Sequence, residues 1–262
     1  MTSAEDAKAC CSRAYGTDAV AMVLGPSYHP GGLSLTRRLA ERLGVRAGHR
    51  VLDVAAGTGT TARMLAADFD VTVDGVELGQ DVLESAVAET QEAGLSAKVG
   101  FHHGDAEHIP LPDGRFDTVV CECAFCTFPD KERAAAELAR VLRDGGRAGI
   151  TDVTVTGEGL PAELSTLAAW VACIADARSL EEYSEILAGA GLTTVCTERH
   201  DAALERMIEQ IDARVRLLRM TSFTRLHQAG VDVDAVLRYC ALAREAVADG
   251  LLGYALLVAE KR

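Results

Sequence analysis

The segment Val51-Leu-Asp-Val-Ala-Ala-Gly-Thr-Gly-Thr-Thr61 constrains the fold more than any other part of this chain. A short apolar stretch closes on an acid, passes through small residues with two glycines, and opens a helix. Gly57 and Gly59 permit backbone conformations and close ligand approach that a Cβ would obstruct. In an open α/β sheet such a strand–turn–helix lies where ligands bind, outside the carboxyl ends of the strands.

The residues that follow keep the same alternation. Apolar stretches at 50–54, 71–76, 98–102, 116–121 and 147–153 read as strands. Helical spacing fills 59–68, 80–93 and 130–142 between them. Strands alternating with helices imply a parallel sheet with right-handed crossovers. Arg143-Asp-Gly-Gly146 reads as a tight turn before the fifth strand, because glycine accepts positive φ. Upstream, Ala19–Leu24 and Leu33–Leu43 have helical spacing, broken by Gly25-Pro26 and Pro30-Gly31-Gly32. Downstream of Gly159-Leu-Pro161 the pattern is helical to about 175 and again over 180–190. A strand at 193–199, long helices at 201–226 and 232–248, and the apolar strand Gly253–Glu260 complete the chain. The expectation is one Rossmann-like α/β domain over 1–262, with seven mainly parallel strands. Residues 1–48 form a helical lid and 49–155 a ligand-binding core. Residues 156–262 carry a helical insertion on the substrate side before the last strand. A length of 262 residues suits such a domain.

Charge and cysteine content narrow the function classes. A formal charge of −13 argues against a general nucleic-acid binder. No apolar run reaches the roughly 18–20 residues of a membrane span, and the polar start Met1-Thr-Ser-Ala-Glu-Asp6 does not resemble a signal peptide. Eight cysteines without such a signal suggest free thiols in a reducing, cytoplasmic setting.

Acids recur at the ends of the expected strands. Asp53 ends the first and opens the turn that contains Ala55. Glu77 ends the second, before Leu78, where a carboxylate can accept two hydrogen bonds from ribose hydroxyls. Asp105 follows the third in Gly104-Asp-Ala-Glu107, placed to accept from an adenine amino group, with the Ala106 N–H beside it. Glu122 follows the fourth, where the reactive end of a cofactor would lie. The turn lacks the third glycine of G-x-G-x-x-G and has Ala62 there. Asp53, Glu77, Asp105 and Phe116-Asp117 together resemble class I S-adenosylmethionine-dependent methyltransferases over roughly residues 48–155. That resemblance implies S-adenosyl-L-methionine as cofactor. Asp53, Ala55, Gly57 and Gly59 would be at its methionine part, Glu77 and Leu78 at ribose, Asp105 and Ala106 at adenine, and Glu122 near the methyl group.

The thiols gather near the same end of the sheet. Val120-Cys-Glu-Cys-Ala-Phe-Cys-Thr-Phe-Pro-Asp-Lys131 is the densest run. Cys121 and Cys123 share one side of a strand by period two, with Cys121 deeper. Cys-x-Cys-x-x-Cys is not a paired zinc knuckle. The segments Glu122–Lys131 and Trp170-Val-Ala-Cys173 resemble arsenite methyltransferases within the wider superfamily. That resemblance implies that Cys123 and Cys173 give thiolates to arsenic(III). A third would come from Cys10 or Cys11, with Cys11 carried forward, and a small thiol would serve as reductant. Soft centres prefer thiolates, and a nearby sulfonium would lower a thiol's pKa. Cys196 and Cys240 read as packing residues.

Two other readings stand beside this one. An O-, N- or C-methyltransferase acting on a small organic metabolite would use the helical additions as an apolar lid and place a histidine or carboxylate base in the pocket. A protein that holds the nucleoside or metalloid without turnover would bind cofactor tightly and transfer no methyl. His29 in Ser27-Tyr-His-Pro-Gly-Gly32, together with Tyr15, Tyr28 and Trp170, lies in segments able to fold over the site.

Overall fold

A computed structural model describes residues 18–25, 28–156, 160, 164, 174 and 176–262. The expected helix to about 175, Trp170, Cys173, Tyr15, Cys10 and Cys11 lie outside the described residues.

The first described helices are α1 (Asp18–Leu24) and α2 (Gly32–Leu43). The alternating core follows as β1 (Arg50–Val54), α3 (Thr60–Phe69), β2 (Thr72–Glu77), α4 (Gln80–Glu92), β3 (Val99–His103) and β4 (Phe116–Glu122). A 3₁₀ turn at Phe125–Thr127 leads into α5 (Lys131–Val141) and β5 (Leu142–Val155). The remainder is α6 (Leu180–Gly189), β6 (Leu192–Arg199), α7 (Asp201–Thr221), α8 (Phe223–Gln228), α9 (Val233–Ala248) and β7 (Leu252–Lys261).

The seven strands form one sheet in the order β3-β2-β1-β4-β5-β7-β6. The first five run parallel, and β7 pairs antiparallel with both β5 and β6. The chain winds outward from β1 to β3, then returns to lay β4 on the other side of β1. That reversal opens a crevice at the carboxyl ends of β1 and β4, the switch point where open α/β sheets bind ligands.

Both faces of the sheet are covered, so its central strands read as continuous apolar runs rather than alternating ones. Residues Leu252–Ala259 of β7 are all buried. Leu39 and Leu43 of α2 lie against Gly149 of β5, where an added Cβ would sit 2.8 Å from one and 2.7 Å from the other. Side-chain caps fix helix starts: Asp130 accepts from the Arg133 N–H, and Ser179 and Glu182 form a reciprocal capping box.

Two local expectations change. The tight turn at 143–146 is a bulge inside β5, whose pairing with β4 jumps from Leu142 to Arg147 while Gly145 takes φ +71°. The continuous helix over 201–226 breaks at Ser222 into α7 and α8. The helices before β7 also gather their own apolar cluster of Val215, Leu226, Val231 and Val233. Arg214 of α7 donates to the Val23 and Leu24 carbonyls at the end of α1. The two helical additions, far apart in sequence, therefore meet.

Candidate active site

The cavity at the switch point has a volume of about 400 Å³. Asp53, Glu77, Asp105 and Glu122 each contribute to its wall. Parallel register sets this convergence: Asp53 pairs with Gly75 of β2 and Val120 of β4, so adjacent strands end at the same level.

The glycine turn is tied to the second strand. Glu77 Oε2 accepts from the Gly57 N–H at 2.9 Å, and its Oε1 accepts from the Gly79 N–H at 2.8 Å. Each oxygen retains a lone pair that a ribose hydroxyl can use. Ala55 and Gly57 both line the cavity with φ near +55°, at +57° and +55°. A Cβ on Gly57 would meet no protein atom within 4 Å. Gly59 has another job: it is not on the cavity wall. It caps α3 with φ +78°, and a Cβ there would lie 2.4 Å from Phe101 Cζ. Its missing side chain makes room for Phe101 rather than for a ligand. Leu78 and Ala106 line the cavity beside Glu77 and Asp105. Asp105 Oδ1 accepts from the Glu107 N–H at 2.9 Å, which fixes the loop after β3.

Asp53 is buried, and its Oδ2 has no hydrogen-bond partner within the protein. Burial pushes its carboxyl well above the usual range, and the nearby charges of Glu122 and Glu77 add to the shift. An orphaned carboxyl oxygen with two further carboxylates suits a cationic ligand. The open space over Gly57 admits close approach of its backbone. These residues therefore fit S-adenosylmethionine, whose ammonium and sulfonium groups are positive.

Glu122 is held by hydroxyls from three elements. Thr36 of α2 and Thr61 of α3 donate to Oε2 at 2.9 and 2.7 Å, and Thr151 of β5 donates to Oε1 at 3.4 Å. Behind Thr151, the buried Tyr254 hydroxyl donates to its Oγ1 at 3.1 Å. In front, His29 Nε2 lies 3.9 Å from Glu122 Oε2. The threonine cradle had no signature in the sequence, although Thr61 ends the diagnostic turn.

Among the described cysteines, Cys123 alone lines the cavity. It stands just past β4 with φ +53°, and its N–H donates to the Thr151 carbonyl at 2.6 Å. Cys121 is fully buried, and burial followed by the charges of Asp152, Asp53 and Glu122 pushes its thiol up. Cys126 is also buried, and its N–H bonds Asp152 Oδ2. Cys240 sits in α9, its thiol raised by burial to about 11. No group of three or more metal-ligating side chains occurs among the described residues. The set Cys11, Cys123 and Cys173 has only Cys123 within them.

Residues 51–146 match the family model described as a methyltransferase domain. The chain is 37% identical over 164 residues to methyltransferase GfsG of Streptomyces halstedii, a match covering 62% of this chain and 59% of that one. It is 31% identical over 229 residues to 27-O-demethylrifamycin SV methyltransferase of Amycolatopsis mediterranei, covering 87% of this chain and 82% of that protein. Among solved structures, the [4+2]-cyclase SpnF superposes with a TM-score of 0.81 at 25% identity, over 96% of this chain and 95% of that one.

Proposed function

Since this chain belongs to the S-adenosylmethionine-dependent methyltransferases, we propose that its acceptor is an oxygen of a small, uncharged organic molecule. The observation that carries this reading is the match over 229 residues to 27-O-demethylrifamycin SV methyltransferase. That match is long enough to take in the helical additions as well as the cofactor half. The cavity supports it. Its wall carries apolar side chains such as Leu33, Val82 and Phe128, and its described lining includes neither lysine nor arginine. Residues 156–177 contain no basic residue either. A phosphate or carboxylate on the acceptor would find no counter-charge from these residues and would face Glu122.

Bound in this cavity, the cofactor supplies an electrophilic methyl carbon on a positively charged sulfur. Glu77 and Leu78 hold the ribose side, Asp105 and Ala106 the adenine side, and Asp53 with Gly57 the methionine end. Leu33 and Phe128 add apolar surface to the cavity wall. Positioning of the two reactants lowers such a barrier by roughly 7–11 kcal/mol.

A thiolate-bound arsenic acceptor is the second reading, and Cys123 on the cavity wall favours it. Labelled S-adenosylmethionine offered with an acceptor panel separates the two. The panel holds 27-O-demethylrifamycin SV, catechol, phosphoethanolamine and arsenite with glutathione. Label on an alcohol or phenol oxygen supports the proposal. Label on arsenite, lost in both Cys123→Ser and Cys173→Ser, replaces it with the second reading. Tight cofactor binding with no transfer to any acceptor refutes both.

A further inference from the structure

We propose that Lys131 is a positioning residue for the acceptor: with Asp176 it clasps the end of the β5–α6 connection to the part of the cavity wall that Phe128 forms. This deepens, and rests on, the reading of a small organic acceptor.

The clasp closes a ring of contacts. Lys131 is the first residue of α5, and its side chain is 3% exposed. Its Nζ donates to the Phe128 carbonyl at 3.0 Å and to Asp176 Oδ2 at 2.5 Å. Asp176 meets a second cation at its other oxygen, where Arg178 Nη2 lies 2.8 Å away. The Arg178 backbone N–H donates to the Tyr183 hydroxyl at 3.1 Å, and that hydroxyl donates to the Val153 carbonyl at 3.1 Å. The Tyr183 ring meets Phe125 edge-on with centroids 5.8 Å apart, and Phe125 meets Phe128 edge-on at 5.8 Å. The ring of contacts thus returns to the residue whose carbonyl Lys131 holds. Thr127 and Phe128 line the cavity, and Phe125 is buried.

Stability alone is a poor reason to bury this lysine. Lysine is almost never fully buried unless paired, and apolar replacement of a buried ion pair is often neutral or stabilising. What the pair adds is a fixed spacing. One ammonium group spans the backbone of the cavity wall and the first residues of the segment leading into α6. The wall needs such a tie. The 3₁₀ turn is three residues long, and its end is closed by a Phe128 N–H bond to the Phe125 carbonyl at 3.3 Å. Asp152 fixes the middle of the turn through the Cys126 N–H, whereas Lys131 fixes its end. Asp53, Glu77 and Asp105 take no part in the ring of contacts, so the clasp acts on the acceptor and leaves the donor site alone.

Lys131→Met in the full chain is the mild test, because Asp176 is half-exposed and keeps Arg178. Its melting temperature should stay near the native value or rise. S-adenosylhomocysteine affinity, measured by calorimetry, should match the native protein. With whichever of 27-O-demethylrifamycin SV and catechol takes label, KM should rise about 2- to 30-fold, the span for a residue that acts on a ligand without touching it. On the same scale kcat should change less than about threefold. Lys131→Met/Asp176→Asn should match Lys131→Met in KM, since a shared contact is lost once. An unchanged KM, a KM that rises in step with lost cofactor affinity, or a further rise in the double variant overturns the proposal. Hydrogen exchange gives a readout without turnover. In Lys131→Met the amides of Thr127, Phe128 and Arg178 should exchange about tenfold faster or more, while those of β1 to β3 keep their native rates. Faster exchange at Arg178 with native rates at Thr127 and Phe128, or native rates at all three, refutes the clasp. If the panel shows no transfer to oxygen, the oxygen-acceptor reading fails by itself, and exchange still decides whether Lys131 couples the two segments.

Discussion

Glu77→Gln separates the turn-holding bonds of this carboxylate from its proposed contact with ribose. Glu77 accepts from the Gly57 N–H through one oxygen and from the Gly79 N–H through the other, and the residue is 8% exposed. An amide of the same shape has one acceptor oxygen and one NH₂ group. Whichever way the Gln side chain flips, one glycine N–H then points at another donor. A buried donor left without a partner costs about 1–3 kcal/mol, and a hydrogen bond to a charged group is worth about 1.5–3 kcal/mol. A loss of about 1.5–3 kcal/mol in the ligand-free protein is therefore expected. At roughly 2–4 °C per kcal/mol for a domain of about 150–250 residues, the melting temperature should fall by about 3–12 °C. Cofactor affinity should fall as well. Losing one charge-assisted bond to a ribose hydroxyl weakens binding by about 10- to 150-fold. Thermal unfolding followed by circular dichroism gives the first quantity, and calorimetric titration with S-adenosylhomocysteine gives the second. A variant that binds weakly but melts with the native protein would show that Glu77 touches the ligand without holding the turn. A variant unchanged in both would refute the reasoning outright.

Other substitutions test neighbouring parts of the site. Gly59→Ala drives a Cβ to 2.4 Å from Phe101 Cζ at φ +78°, so denaturant unfolding should show a loss of about 2–4 kcal/mol from overpacking and backbone strain. Gly57→Ala adds a Cβ that meets no protein atom within 4 Å; calorimetry should show lost cofactor affinity, with only the strain of about 1–2 kcal/mol in stability. The buried Asp53 carboxyl has a raised pKa from burial and from Glu122 and Glu77. The unfolded chain ionises at the ordinary carboxylate value while the native state keeps its proton, so this group's contribution to stability is lost as pH rises from that value toward the raised one. Asp53→Asn should remove that slope, seen as a gain relative to the native protein that grows as pH rises above the ordinary carboxylate range in urea titrations. Cys123→Ser should retain methyl transfer to oxygen acceptors within a few-fold in the labelled-cofactor assay, because no step to oxygen uses the thiol.

The sequence carried the cofactor half of this protein plainly, and the reason is local chemistry. Each strand end pairs an apolar run with an acid a fixed distance on, as in Val51–Asp53 and Val76-Glu77. Parallel register then brings those ends to one level without long-range instruction. The bulge at Arg143–Gly146 was legible as glycine chemistry but not as part of β5, since only pairing with Phe116 and Thr118 defines it. The break at Ser222 has no glycine or proline to announce it. The cradle around Glu122 was hidden for a different reason. Thr36, Thr61 and Thr151 lie 86, 61 and 29 residues from it in sequence, and each is an unremarkable threonine within its own element. Cys121 and Cys126 show the reverse: a conspicuous motif whose members are mostly packed into the core.

The acceptor side follows another logic, and the helical additions show it. The donor site stands on strands whose ends are fixed by the sheet. His29 and Tyr28 instead stand on a short segment between α1 and α2. Arg214 ties the end of α1 to α7 through the Val23 and Leu24 carbonyls. Thr36 ties α2 to Glu122. The segment bearing His29 is thus held at one end by the insertion before β7 and at the other by the carboxylate it faces. A change in the insertion can shift His29 against Glu122 without touching Asp53, Glu77 or Asp105, since those rest on β1 to β3 and their loops. Acceptor choice can therefore vary while the donor pocket stays fixed. The strand-borne part carries the family match, while Arg214 joins the additions to each other and Thr36 joins them to Glu122.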